Sequence, residues 1–236
     1  MPSMAFTLRD ADRSQPVAPR LYRLLRERII RGDLLPGVRL SEVETASEYD
    51  VSRQPVREAF IKLAEEGLVE IRPQRGTFVS RIYVPAVMSA RFVREAVEAD
   101  IVRILAAQAD EAFMAHLRAQ LADQQAAVES EDPQKFLALD EIFHRTLATK
   151  SGHAASWDVL QPLKTQMDRV RHLSAHSFPL RELLAQHGEV VAAIASGSVS
   201  GADSAMRGHL RKIIDDLPQI IASQPAYFDG ADEDRQ

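Results

Sequence analysis

From Ala86 to Ile221 the apolar residues recur at helical spacing, and no stretch alternates as a half-buried strand would. More than half of the chain must therefore fold as packed helices. Six segments are expected, at about 86–108, 111–130, 133–151, 154–174, 179–196 and 199–221, giving an all-α six-helix bundle. They are separated at Asp110, Asp132-Pro133, Ser151-Gly152, Ser177 to Pro179 and Gly197 to Gly201, where turn formers and helix caps cluster. No apolar run reaches the roughly 18 residues of a membrane span. The N-terminus carries acids and prolines instead of a hydrophobic signal core, so the chain is expected to be cytoplasmic.

The residues before the bundle follow a different order. Residues 1–18 show no sustained periodicity and are expected to be a flexible tail. Leu21, Leu24, Leu25, Ile29 and Ile30 form one helical stripe, which GDLLPG stops. Ser41 followed by Glu44 fits a capping box for a short second helix, whose expected inner face is Val43, Ala46 and Tyr49. After a turn at Asp50-Val51, Ser52 is a natural N-cap and Pro55 sits in the first turn of a third helix. Val56, Ala59, Phe60, Leu63 and Ala64 are its buried stripe, and Gly67 ends it. The runs LVEIR and TFVSR then flank PQRG, which reads as a hairpin with Gly76 relieving the turn. The fold expected is mainly α: a winged helix-turn-helix over 19–81, a linker at 82–85, the helical domain over 86–222 and a second flexible tail over 223–236.

A recognition helix presents its N-terminal residues to base edges and phosphates in the major groove. Ser52, Arg53, Gln54 and Arg57 crowd that tip here, so a DNA-facing surface is expected. Net charge does not oppose this. The whole chain carries −5, but Leu21 to Arg81 holds eleven Lys/Arg against ten Asp/Glu, so a basic face must come from local clustering of arginines.

The absence of cysteine leaves His, Asp and Glu as the strong metal ligands. All seven histidines lie in the helical part. Asp140 and His144, four apart in LALDEIFHRTL, project from one helical face and could share an ion. His187 and His209 stand in largely apolar helical contexts, which suit packed core histidines as well as ligands. His116, His153, His172 and His176 carry no motif and read as structural or surface residues.

LYRLLRERIIRGDLLPGVRLSE and VSRQPVREAFIKLAEEGLVEIRPQRGTFV, in that order, resemble the DNA-binding domain of GntR-type bacterial transcription regulators. The resemblance implies a double-stranded DNA operator as partner, contacts from Ser52, Arg53, Gln54 and Arg57, and a wing tip at Arg75 and Gly76. Some members carry an arginine just after the glutamate of helix two, where this chain has Val43. LDEIFH, HGEVVAAI and AMRGHL are in turn similar to the metal-binding variant of the FCD effector domain in the FadR branch. That similarity implies a divalent metal on Asp140, His144, His187 and His209, zinc first, with nickel or manganese as alternatives. It also implies a homodimer and a small carboxylate effector, a sugar acid among the candidates, held by Arg94. Arg94 reads equally as a surface arginine paired with Glu98, and Arg169 or Arg171 could line the same cavity.

The function expected is a transcription regulator, by default a repressor, whose operator affinity follows an organic acid. A metal-dependent hydrolase or lyase with an accessory winged helix is the alternative, with Glu95 or Glu98 as base. An RNA-binding or purely structural role is disfavoured, because A-form RNA keeps its major groove too narrow for such a helix tip.

Overall fold

A computed structural model of the chain describes residues 16–108, 110–175 and 180–230. They fall into two compact units, one running to Ile82 and including Pro225–Asp229, the other covering Tyr83–Gln224.

The first unit begins with α1 (Val17–Arg31), which starts inside the expected tail and buries Leu21, Leu25 and Ile29. Gly32 ends it in the left-handed conformation, at φ 81°. A two-residue strand β1 (Arg39–Leu40) follows, then α2 (Glu42–Glu48), where the Ser41 hydroxyl accepts from the Glu44 N–H. α2 turns Thr45 and Ala46 inward and leaves Val43 59% exposed, which corrects the expected inner face. Seven residues make about two turns, so only one short face meets the core, and Val43 lies on the opposite side beside Glu42.

α3 (Arg53–Glu65) buries Val56, Ala59, Phe60 and Leu63, with Ser52 at its N-cap position and Gly67 beyond its end at φ 68°. The Ser52 hydroxyl makes no capping hydrogen bond. β2 (Val69–Arg72) and β3 (Gly76–Val79) form the expected hairpin, and β1 joins it to give the antiparallel order β1-β3-β2. Gly76 adopts φ 107°, a backbone conformation that strains any L side chain, so the turn requires glycine. Phe60 is 2% exposed within the core shared by α1, α3 and the sheet. Phe60→Ala is expected to destabilise the unit by about 3–5 kcal/mol. Chemical denaturation checks this, and a loss under about 1 kcal/mol would contradict the packing.

Ile82–Tyr83 form β4, and α4 (Val84–Gln108) begins at once, so the expected linker is already regular structure. Pro85 fits there because the first turn of a helix needs no N–H donors. The expected C-terminal tail also departs from expectation up to residue 230. A 3₁₀ turn at Pro225–Tyr227 and the strand β5 (Phe228–Asp229) follow the last helix, and Phe228 is buried.

The second unit continues with α5 (Glu111–Glu129), α6 (Pro133–Lys150), α7 (Ala154–Leu163), α8 (Thr165–Leu173), α9 (Leu180–Ala195) and α10 (Val199–Ser223). Asp110, Asp132 and Ser198 cap α5, α6 and α10 by accepting backbone N–H groups. The segment expected as one helix over 154–174 is two, broken at Lys164. Pro162 cannot donate to the carbonyl four residues back, and the break is fixed by the buried Lys164 ammonium, 2.8 Å from Glu141 and 2.6 Å from Asp168. The break expected at Ser177 to Pro179, and His176, lie outside the described residues. A continuous apolar core including Val102, Leu105, Leu117, Phe143, Leu147, Trp157, Val190 and Met206 ties the helices together.

Candidate functional site

Within the helical unit, α6 contributes Asp140 and His144, α9 His187 and α10 His209, all four buried. One ligand atom from each lies within 4.8 Å of every other. His209 Nε2 stands 3.2 Å from both His187 Nε2 and His144 Nε2. Asp140 Oδ1 lies 3.5 Å from His187 Nε2 and 3.9 Å from His144 Nε2. Ligand atoms about 2.1 Å from a shared ion stand roughly 3.0–3.4 Å from one another along an octahedral or tetrahedral edge. The two spacings from His209 fall in that range, and the carboxylate lies slightly outside it.

The outer nitrogens explain why the inner ones converge. His144 Nδ1 is 2.5 Å from Glu98 Oε2, a carboxylate that can only accept. His187 Nδ1 faces Gln124 Oε1 at 2.7 Å, and His209 Nδ1 faces Gln186 Oε1 at 3.0 Å. With the amide oxygens of Gln124 and Gln186 behind His187 and His209, and the Glu98 carboxylate behind His144, the tautomers that donate from Nδ1 turn the three Nε2 lone pairs into one space. Such a cluster is repulsive unless a cation occupies it, and this pattern of an oxygen behind each imidazole is what orients metal-ligating histidines. Burial pushes His187 down to about 3, and it holds His209 well below the usual imidazole range, reinforced by His187 alongside. The Phe143 ring stacks on His187 at 4.5 Å and walls off one side. Asp140 is opposed by burial, but Arg171 and the neighbouring imidazoles hold it ionised, well below the ordinary carboxylate range.

Arg171 reaches Asp140 with both guanidinium nitrogens, at 2.6 and 2.7 Å. Arg94, 3% exposed, is no surface residue, yet it does pair with Glu98, at 2.6 Å. Glu98 thus joins Arg94 to His144, and despite burial the Arg94 guanidinium, followed by the contact with His144, lowers it to about 2. Arg94, Met167, Arg171, Leu183, His209, Leu210, Lys212, Ile213 and Asp216 line a cavity that meets the ligand set at His209. Arg169 is buried, bonds Gln166 at 3.0 Å, and is not part of that wall. Glu95 is held by Arg91, Arg207 and Arg211, and hydrogen bonds from Arg211 before the others keep it near about 2, too acidic for a general base at neutral pH. His116 and His172 bond Gln120 and Gln134, and His153 precedes α7, all away from the ligand set.

In the first unit, Ser52, Arg53, Gln54 and Arg57 are all exposed along the start of α3, and Arg75 is exposed beside Gly76 at the wing tip. Glu42 holds the two arginines together. Its Oε2 accepts from Arg53 at 3.0 Å, while Arg57 donates through Nε at 3.0 Å and Nη2 at 3.2 Å. Hydrogen bonds from Arg57 and then Arg53 lower the Glu42 carboxyl below its usual value. Exposed pairs of this kind contribute little to stability, so they fix direction without preventing the guanidiniums from meeting phosphate or guanine.

Residues 18–79 match the family of bacterial regulatory proteins named gntR, and residues 90–212 match the FCD domain. The chain is 38% identical over 216 residues to the HTH-type transcriptional repressor RspR of Escherichia coli K12, covering 91% of this chain and 95% of that one. This chain belongs to the GntR family. An HTH-type regulator in an unstable DNA locus of Streptomyces ambofaciens is 41% identical to this GntR protein over 209 residues, with 88% of each chain covered. A solved GntR structure from Rhodococcus sp. RHA1 superposes with a TM-score of 0.70 at 29% identity, over 87% of this chain and 98% of that one. This GntR protein is therefore a DNA-binding transcription regulator with a winged helix-turn-helix and an FCD domain, and it is not an enzyme. The hydrolase reading finds no support. Among the described residues no helix is long and apolar enough to cross a membrane.

Sequence reasoning missed Glu98 as a histidine partner, and it missed Gln124, Gln186 and the bridging Glu42. Gln124 is fully buried, its Oε1 faces His187 Nδ1 at 2.7 Å, and its Nε2 makes no hydrogen bond. Gln124→Ala is expected to weaken divalent-metal affinity by about 10–100-fold. Competition with a chromogenic chelator measures this, and unchanged affinity would remove Gln124 from the site.

Proposed function

We propose that this GntR regulator is a cytoplasmic homodimeric repressor of the FadR branch, whose operator affinity is set by a small organic acid bound at a divalent metal site in the FCD domain. The observation that carries this reading is the convergence of three imidazoles and Asp140, one of which, His209, lines a cavity that also presents Arg94 and Arg171. Asp140, His144, His187 and His209 hold the ion, zinc by preference with nickel or manganese as alternatives, and their donor set suits such metals. The ion supplies a Lewis-acidic position for a carboxylate and a neighbouring hydroxyl. Arg94 and Arg171, paired with Glu98 and Asp140, present the remaining N–H donors of their guanidiniums to that carboxylate. The cavity composition supports an anion: its wall brings Arg94, Arg171 and Lys212 against the single carboxylate of Asp216.

At the other end of the chain, Arg53, Gln54 and Arg57 read base edges, Ser52 and the α3 N-terminus bind phosphate, and Arg75 with Gly76 places the wing. The repressor sign follows the relative in Escherichia coli, which is named as one. A two-fold pair presents two recognition helices to two half-sites, which a single winged helix cannot do. Effector that weakens operator binding is itself bound less tightly by the operator complex, by the same factor.

The test is elemental analysis of the purified protein combined with thermal unfolding against hexuronates, aldonates, aldarates and short dicarboxylates. One divalent ion per chain and a rise in melting temperature with one acid class are expected, since a ligand at a hundredfold excess over Kd adds about 2.7 kcal/mol. Protein free of metal, with no shift from any acid, would return the four residues to a packing role.

A further inference from the structure

The short strand β1 sends one side chain to each face of the wing sheet. Leu40, opposite Thr77, is buried, so Arg39, opposite Phe78, stands exposed on the outer face that Phe78 and Gly76 share. Gly76 has no side chain, and the Arg39 guanidinium lies in the gap. Its Nε, Nη2 and Cζ stand 2.9, 3.5 and 3.6 Å from the point that a Cβ of Gly76 would occupy. A residue that precedes α2 in the chain thus delivers its charge to the wing turn, with the Nε–Nη2 edge toward Gly76 and Nη1 facing away.

Arg72 flanks the same face from the other side, since it is the cross-strand partner of Gly76. Its guanidinium lies 4.9 Å from the centre of the Phe78 ring and donates to Glu70 Oε2 at 2.7 Å. Arg75 follows at the turn and is exposed. Three guanidiniums are therefore gathered about Gly76, and Glu70 is the one acid that the three strands carry. That carboxylate is spent on Arg72, and among the described residues none forms an ion pair with Arg39.

Such a surplus of positive charge on an open turn suits a polyanion: the surface has no walls to enclose a small anion, whereas a duplex brings a regular row of phosphates to it. An arginine already laid against the backbone also loses less rotamer freedom on meeting a phosphate oxygen than one that extends into water. We propose that Arg39 is a DNA-binding residue of the wing, its guanidinium seated on Gly76 and bonded to a backbone phosphate beside the groove that the wing tip approaches. This rests on the reading that Arg75 and Gly76 bring the wing to DNA, and it adds a contact from a strand outside the hairpin. A phosphate contact adds affinity and fixes register without reading sequence.

The test uses the full-length protein and a duplex of random sequence long enough for two half-sites, with fluorescence anisotropy over a series of salt concentrations. Arg39→Gln, which keeps length and hydrogen bonding but not charge, is expected to take about one from the slope of log affinity against log salt for each wing, about two for a dimer, and to weaken binding on the order of tenfold. Arg39→Lys keeps the charge and is expected to restore most of the slope, with thermal unfolding unchanged in both variants because the side chain is exposed. Arg118→Ala removes an equal charge from an exposed site on α5 and is expected to leave the slope at its wild-type value. A full slope in Arg39→Gln, with the slope lowered by Arg75→Ala, overturns this inference alone; a full slope in both overturns the wing reading with it. Equal losses in Arg39→Lys and Arg39→Gln would make Arg39 a support of the wing and not a phosphate ligand, and an equal loss in Arg118→Ala would reduce the effect to net charge; either result contradicts the proposal.

Discussion

Replacing His187 by alanine is expected to bring bound divalent metal from one ion per chain to background, and to abolish the effector's influence on operator binding while leaving operator affinity itself in place. The size of the effect follows from the geometry. His187 Nε2 is within 3.2 Å of His209 and 3.5 Å of Asp140, so it is one of the four donors that converge among the described residues, and the remaining three cannot close the same polyhedron. Losing an imidazole also leaves Gln124 Oε1 without its donor in a fully buried position, so some stability is lost as well. His187→Gln serves as the second variant, because a longer polar side chain retains a hydrogen-bonding group in the space while being a poor ligand. Elemental analysis and operator titrations with and without effector read the two consequences separately. Full metal occupancy in both variants would contradict the assignment.

Arg57→Ala is expected to lower operator affinity by about 10–100-fold per half-site, the range of a lost forked contact to guanine or phosphate. Arg57 is exposed and its partner is the exposed side of α2, so folding and metal content should not change. Arg53→Ala should behave alike, and the double variant should bind specific and random DNA almost equally. The salt dependence separates the two kinds of contact. An arginine bound to phosphate takes about one unit from the slope of log affinity against log salt, whereas one reading a base relaxes sequence preference with the slope retained. Unchanged affinity for the operator in the double variant would mean that another face of the unit meets DNA.

Much of the winged helix is legible because its signals are local. Ser41 caps, Gly32 and Gly67 terminate, and the stripe Val56, Ala59, Phe60, Leu63 is continuous in the sequence. What escaped was set by partners far along the chain. β1 is two residues long and exists only because β3 pairs with it. Val43 reads as apolar and inward, but a seven-residue helix has no room for a third buried position. The break at Lys164 depends on Glu141 and Asp168 receiving a buried ammonium, and periodicity reports nothing of that.

The candidate metal cluster shows the same division. The spacing of Asp140 and His144 is visible on one helix, while the other two histidines entered through a resemblance and not through any pattern of their own. Glu98, Gln124 and Gln186, which decide where the ring protons sit, come from α4, α5 and α9, with sequence separations from their histidines of 46, 63 and 23 residues. Glutamine carries no charge signal and no periodic signature, so only the folded arrangement reveals it. Glu42 escaped for a related reason: it looks like an ordinary first-turn acid, and its bonds to Arg53 and Arg57 cross from one helix to the next.

The most direct measurement is operator affinity of the full-length protein by fluorescence anisotropy, in the presence and absence of the acid that raises its melting temperature, before and after removal of divalent metal. The account predicts that the acid weakens operator binding tenfold or more in metal-loaded protein, that chelation abolishes this response, and that restoring the metal restores it. An acid response of equal size in metal-stripped protein would contradict it.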